Sequence, residues 1–210
     1  MAIVDQLASS LGQRDEAPNT ALAARIVKEQ DKEAVEELVA LLQHKSKDVQ
    51  SDSIKVLYEV GEQRPALIAA YTPVFIDLLS HKNNRLQWGA MTALDAVATE
   101  KPALVHKALP QILQAADKGS VITKDHAVNI LIKLSAQKAY QQDTFSLLLE
   151  QLAGCATNQL PMYAERALPV ISPGNRPAFV ATLTKRLPDI DKESRRKRVE
   201  QVIKKLSKQG

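Results

Sequence analysis

The sequence predicts an all-α fold in which helix pairs stack in a row. Three observations carry that reading: few strand and turn formers, apolar residues at helical spacing, and motifs that return every 37 residues. Only 4% of the 210 residues are aromatic and only seven are glycine, which suits a strand-rich fold poorly. With 45% hydrophobic and 25% charged residues the chain can bury a core.

The repeat shows in several motifs at one offset. Arg64-Pro65-Ala66-Leu67 returns as Lys101-Pro102-Ala103-Leu104, and Leu41-Leu42-Gln43-His44-Lys45 as Leu78-Leu79-Ser80-His81-Lys82. In the same register Val49, Gln50, Leu57 and Val60 meet Leu86, Gln87, Leu94 and Val97. Further on, Ala90, Leu94 and Val97 pair with Ala127, Leu131 and Leu134, and these with Ala164, Leu168 and Ile171. Arg176-Pro177-Ala178-Phe179 arrives one residue late, so one loop there has gained a residue. The register divides a single repeat domain, 1–210, into about six helix pairs: 1–30, 31–64, 65–101, 102–140, 141–175 and 176–210.

Taken in order, Leu67 to Ser80 reads as a first helix, His81-Lys82-Asn83 as a short turn, and Asn84 to Thr99 as a second helix. Pro102 opens the next helix, where its missing N–H costs little. Such short connections make antiparallel neighbours. On the second helix Leu86, Ala90, Ala93 and Val97 form a narrow seam of mostly small apolar residues, and only stacked copies can cover such seams. The last helix, about Asp191 to Ser207, carries Val199, Val202, Ile203 and Leu206 as one docking stripe.

Thr72-Pro73-Val74-Phe75-Ile76-Asp77-Leu78-Leu79 followed by Asn84-Arg85-Leu86-Gln87-Trp88-Gly89-Ala90-Met91-Thr92-Ala93-Leu94 resembles a HEAT repeat of the armadillo-type α-solenoid class. The copy from Lys47-Asp48-Val49-Gln50 is similar, with Gln50 where the family often has arginine. The resemblance covers 31–171 well and both ends weakly. It implies a right-handed α-α superhelix whose second helices line a concave, partner-holding surface. It implies a scaffold and no particular chemistry.

Charge and chemistry narrow the function. The net charge of +4 is local: residues 191–210 hold eight basic and three acidic groups, and the other 190 residues hold 20 and 21. A long cationic groove for nucleic acid is therefore not expected. The one cysteine, Cys155, excludes internal disulfides and reads as an inert thiol at an apolar helix end. Met1 to Gln6 has no basic leader and no run reaches the ~18 apolar residues of a membrane span, so a cytoplasmic protein without membrane contact is expected. His44 and His81 hold equivalent places, read as caps on the carbonyls ending a first helix. His106 and His126 read as surface residues without a carboxylate partner, and Gly174 as a turn. No catalytic, metal, cofactor or small-molecule constellation emerges.

One place stands out. With Leu86 at the origin of the helical wheel, Trp88 falls at about 200°, beside Asp95 at about 180° and Thr92 at about 240°, away from the seam. The matching positions are Ser51, Lys55 and Tyr58 one repeat earlier and Asp125, Asn129 and Ile132 one later. Trp88, Tyr58, Asp95, Thr92, Lys55, Asp125 and Asn129 thus form a candidate partner-binding ridge, with packing of Trp88 beneath a neighbouring repeat as the other reading. Arg195, Arg196, Lys197 and Arg198 form a weaker candidate for anions. A non-enzymatic scaffold for a peptide or protein partner is the expected function. The alternative is a HEAT-like DNA glycosylase or another nucleic-acid binder, and Trp88 lacks the second tryptophan and close acid which that resemblance implies.

Overall fold

A computed structural model describes residues 2–208, so the first residue of the pair 1–30 and the last two of 176–210 lie outside the described residues. All regular structure among the described residues is helical. Residues up to Ala127 form one compact unit and residues from Val128 another.

The first unit contains α1 (Ala17–Glu29), α2 (Lys32–Leu41), α3 (Lys47–Gln63), α4 (Thr72–Leu78), α5 (Asn84–Val97), α6 (Pro102–Lys107) and α7 (Leu109–Lys118). The helix α8 (Val121–Ser135) begins in it. The helices α3, α5 and α8 start at Lys47, Asn84 and Val121, each 37 residues after the last. Short polar caps set those starts by taking free N–H groups of the first turn. Ser46 accepts from the Val49 amide at 3.4 Å, Asn83 from Arg85 at 3.0 Å, and Ser120 from Thr123 at 3.4 Å. Asp31 caps α2 through the Ala34 amide at 2.9 Å.

Second helices pack side by side, α1 on α3 and α3 on α5, while α2 and α4 lie against α3 and α5 from the other side. The seam residues Leu86, Ala90, Ala93 and Val97 are fully buried, as are Val56, Leu57 and Val60 of α3. Gly89 of α5 faces Ile54 of α3 at close range: a Cβ there would stand 2.6 Å from Ile54 Cγ1. That is too close for any side chain.

The first helix expected from Leu67 to Ser80 is broken. Two 3-10 turns, Pro65–Leu67 and Ala69–Tyr71, lead into α4, and one repeat later α6 and α7 meet at Ala108. Pro73 and Pro110 explain both breaks. A proline inside a continuous helix removes a hydrogen bond and clashes with the preceding turn, so each stands in the first turn of a new helix instead. The repeat 65–101 therefore has four helical segments, two of them 3-10 turns, and the next has three.

The histidine expectation is corrected too. His44 Nδ1 accepts from the Ser46 amide at 3.1 Å and His81 Nδ1 from the Asn83 amide at 3.0 Å. A ring nitrogen that accepts an N–H cannot donate to a carbonyl, so both imidazoles brace the entry to the next helix. Gln50, where HEAT repeats often have arginine, makes neutral bonds instead: its amide donates to the His44 carbonyl at 2.8 Å and accepts from Asn83 of the next repeat at 3.2 Å. One repeat on, Gln87 donates to the Leu79 carbonyl at 2.7 Å.

The second unit holds α9 (Gln141–Gly154), α10 (Leu160–Ala167), α11 (Arg176–Arg186) and α12 (Glu193–Ser207). Here α9 packs on α11 and α10 on α12. The stripe of α12 is seated as its spacing requires, with Val199, Val202 and Leu206 buried. Arg186 closes α9, donating to the carbonyls of Leu152 and Ala153 at 2.7 Å each and of Cys155 at 2.9 Å.

Candidate functional site

The candidate ridge runs across α1, α3, α5 and the start of α8. Neighbouring second helices meet diagonally, at offsets shorter than the repeat. Trp88 on α5 is half-buried, and its ring lies 5.6 Å from that of Tyr58 on α3 at 50°. That tilted geometry is favoured by the ring quadrupoles. Tyr58 itself is buried, at 7% exposure, and burial pushes its hydroxyl above the ordinary phenol range. Both readings of Trp88 are thus partly answered: it packs on the preceding repeat and still presents surface. The room beside Gly89 is filled by Ile54 and not by the indole.

Two cations flank the ring pair. The Lys55 ammonium lies 5.0 Å from the Tyr58 centroid and the Arg85 guanidinium 5.8 Å from that of Trp88, within range of a cation–π contact. Glu16, one residue before α1, reaches both, at 3.2 Å to Lys55 Nζ and 3.3 Å to Arg85 Nη1. Glu59 holds Lys55 from the next turn of α3 at 2.5 Å. Burial works against the Lys55 charge, but Glu59 and Glu16 outweigh it and hold the amine above its ordinary range.

Further along, Thr92 and Asp95 are buried. The Thr92 hydroxyl donates back to the Trp88 carbonyl at 3.0 Å, which turns it into its own helix. Asp95 Oδ2 meets His126 Nδ1 of α8 at 2.7 Å, correcting the expectation that His126 has no carboxylate partner. The pair is 31 residues apart and so falls outside the 37-residue register. Glu62 lies near both groups, and burial followed by the charge of Glu59 pushes its carboxyl up. Asp125 on α8 is half-buried. Asn129 belongs to the second unit, where Arg166 donates to it at 3.2 Å. The structure therefore joins Lys55, Tyr58 and Trp88 into one contact chain, adds Glu16, Glu59 and Arg85, and buries Thr92 and Asp95 further along α5.

The basic run on α12 is largely occupied by its own fold. Arg196 donates twice to the Ile190 carbonyl, at 2.8 and 3.2 Å, and Lys197 pairs with Glu193 at 2.7 Å. Arg198 grips Glu165 through two bonds of 2.6 and 2.8 Å, and that pairing lowers the Glu165 carboxyl. Of the four, only Arg195 is left outside these contacts. The Cys155 thiol is half-buried and raised by burial, which makes it a poor nucleophile. Among the described residues no group of three His, Cys, Asp or Glu is placed to hold a metal ion, and no helix is long and apolar enough to cross a membrane.

No protein-family model matches the chain, and no curated protein matches it. Solved structures do. An engineered protein of a structural genomics programme aligns at 21% identity and a TM-score of 0.66, covering 100% of this chain and 98% of its own. A designed armadillo repeat protein, solved in complex with the peptide (KR)4, aligns at 16% identity and a TM-score of 0.69, with 97% of each chain covered. A second designed armadillo repeat protein aligns at 16% and 0.65. At such identities the likeness shows the fold, an α-solenoid of armadillo or HEAT-like helical repeats.

Proposed function

We propose that this chain is a non-enzymatic HEAT-like scaffold that holds a peptide or protein partner on the face of its second helices, centred on Trp88. The observation that carries the reading is the contact chain Lys55–Tyr58–Trp88–Arg85, in which a tryptophan is fixed by an aromatic neighbour yet keeps part of its ring at the surface. A pre-positioned aromatic with a buried base loses little conformational entropy on binding, which is why such residues dominate interface energetics. A bound peptide in one structural neighbour is in keeping with this use of the fold. No comparable observation favours nucleic acid: Arg196 is tied to the Ile190 carbonyl and Arg198 to Glu165.

The test is selection from a random displayed-peptide library on the intact protein and on Trp88→Ala. The reading expects families of related sequences that bind the native protein and lose at least tenfold in affinity with Trp88→Ala, whose unfolding transition stays cooperative. Enriched peptides that bind both proteins equally would overturn the placement of the site.

A further inference from the structure

The first unit carries an open groove that shares no residue with the Trp88 ridge. It holds about 380 Å³ between the N-terminal segment and α1, lined by the apolar side chains of Leu11, Pro18, Ala21 and Leu22 together with Asp5 and Arg25. Leu11 is 51% exposed. An exposed leucine beside an apolar groove gains by being covered. A second hollow of about 440 Å³ shares Gln6 and Arg25 with the first and is lined further by Asp31, Glu33 and Glu37.

That second hollow is short of cations. Arg25 is shared by Glu29 at 2.8 Å and Asp31 at 3.1 Å, so one positive charge meets two negative ones. Glu37 accepts the Ile3 amide at 2.8 Å, which leaves its charge in place. Asp5 and Glu33 are exposed and make no ion pair among the described residues. Residues 1–37 as a whole hold eight acidic and four basic groups. The opposite composition stands on α12. With Val199, Val202 and Leu206 buried, its solvent side presents Lys204, Lys205 and Lys208, all exposed and outside any ion pair among the described residues. A lysine suits such a groove at both ends: its methylene stem lies along apolar surface while its ammonium reaches the carboxylates around it.

We propose that the partner of this groove is a second copy of the chain, held head to tail: the lysine side of α12 in one copy covers Leu11 and Ala21 of the next and sets its ammonium groups against Asp5, Glu33 and Glu37. The contact joins two different surfaces, so a copy that engages through its α12 still offers its own groove. It goes beyond the reading of the Trp88 face and does not depend on it. Opposed charges at an exposed rim are screened beyond about 10 Å at ~0.1 M salt. Association is therefore a property of low salt and high protein concentration.

The experiment is sedimentation velocity of the full chain over a range of concentrations, at low and at high salt. The native protein should grow beyond the monomer with concentration at low salt and return to it at high salt. Two variants block one surface each. Ala21→Gln with Glu33→Lys fills the groove and reverses a charge beside it, and Lys204→Glu with Lys208→Glu reverses α12. All four positions are exposed, so both variants should keep the native melting transition. Each alone should weaken association about tenfold or more. An equimolar mixture of the two should recover a species of two chains and none larger, because one intact groove and one intact α12 remain between them. Trp88→Ala should associate like the native protein. A native protein that stays monomeric at low salt overturns the proposal, and so does a mixture that fails to pair. A variant that still associates fully by itself would mean that like surfaces meet, and a loss of association in Trp88→Ala would move the contact to the ridge; either overturns the head-to-tail assignment. None of these outcomes decides whether peptides selected on the native protein need Trp88, so the two readings fail separately.

Discussion

Replacing Gly89 by alanine sets two opposed effects against each other, and the structure decides between them. In an exposed helix interior the change stabilises by about 1 kcal/mol, because alanine has less backbone freedom to lose. At Gly89 the added methyl would stand 2.6 Å from Ile54 Cγ1, 3.1 Å from Cγ2 and 3.5 Å from its Cβ. Ile54 is 1% exposed and branched at the carbon next to the clash, so no rotamer change removes both contacts. Overpacking of this kind costs about 1–3 kcal/mol. The net expectation for Gly89→Ala is a loss of about 1 kcal/mol, read as a lower urea midpoint at unchanged slope. Ile54→Ala removes both contacting carbons and costs about 2–5 kcal/mol by itself. In that background Gly89→Ala should reverse sign and stabilise by about 1 kcal/mol. A stabilising Gly89→Ala in the native background, or no reversal in the double variant, would refute the claim that α3 and α5 pack backbone-close at this point.

Three further outcomes follow from the same contacts. Arg186→Gln should lose about 2 kcal/mol of stability by uncapping three carbonyls at the end of α9, and Arg186→Lys should not restore it, because one ammonium lacks the planar fork; urea titration of the three proteins checks both. Asp31→Asn should flatten the acid limb of the stability profile. The Ala34 amide, ahead of Arg25, lowers the folded carboxyl, so its contribution is complete above the ordinary carboxylate range near 4 and is lost as pH falls through the lower folded value; thermal melts between pH 2 and 7 measure the difference. Cys155 should react with a disulfide reagent more slowly than free cysteine at pH 7.5, since burial raises its thiol, and the gap should narrow as pH rises; a thiol-release time course reads this directly.

What was legible in the sequence is what periodicity controls. The 37-residue register placed the starts of α3, α5 and α8, and helical spacing picked out the buried seam of Leu86, Ala90, Ala93 and Val97, because both follow from backbone geometry that each copy must repeat. The same wheel placed Trp88 off the seam and beside the column that holds Tyr58. Contacts chosen by reach were not legible. Glu16 precedes the first recognisable copy and ties Lys55 to Arg85 across 39 and 69 residues, and His126 finds Asp95 at an offset of 31. Long side chains cross repeats diagonally, and a search at constant offset passes over such pairs. The broken first helices had a signal in plain sight: Pro73 and Pro110 recur in register, and an interior proline ends a helix more often than it survives inside one. The expected carbonyl caps at His44 and His81 failed because a ring at a helix end can equally serve the amides of the helix that follows.

The most direct measurement of the central claim is the indole N–H resonance of Trp88, a single peak in a proton–nitrogen correlation spectrum because the chain has one tryptophan. Titrated with library-selected peptides, it should shift and saturate together with the backbone amides around Tyr58, Arg85 and Thr92, while those of α12 stay in place. Peptide-induced shifts on α12 or along the first helices, with the indole peak unmoved, would contradict the assignment of the second-helix face as the binding surface.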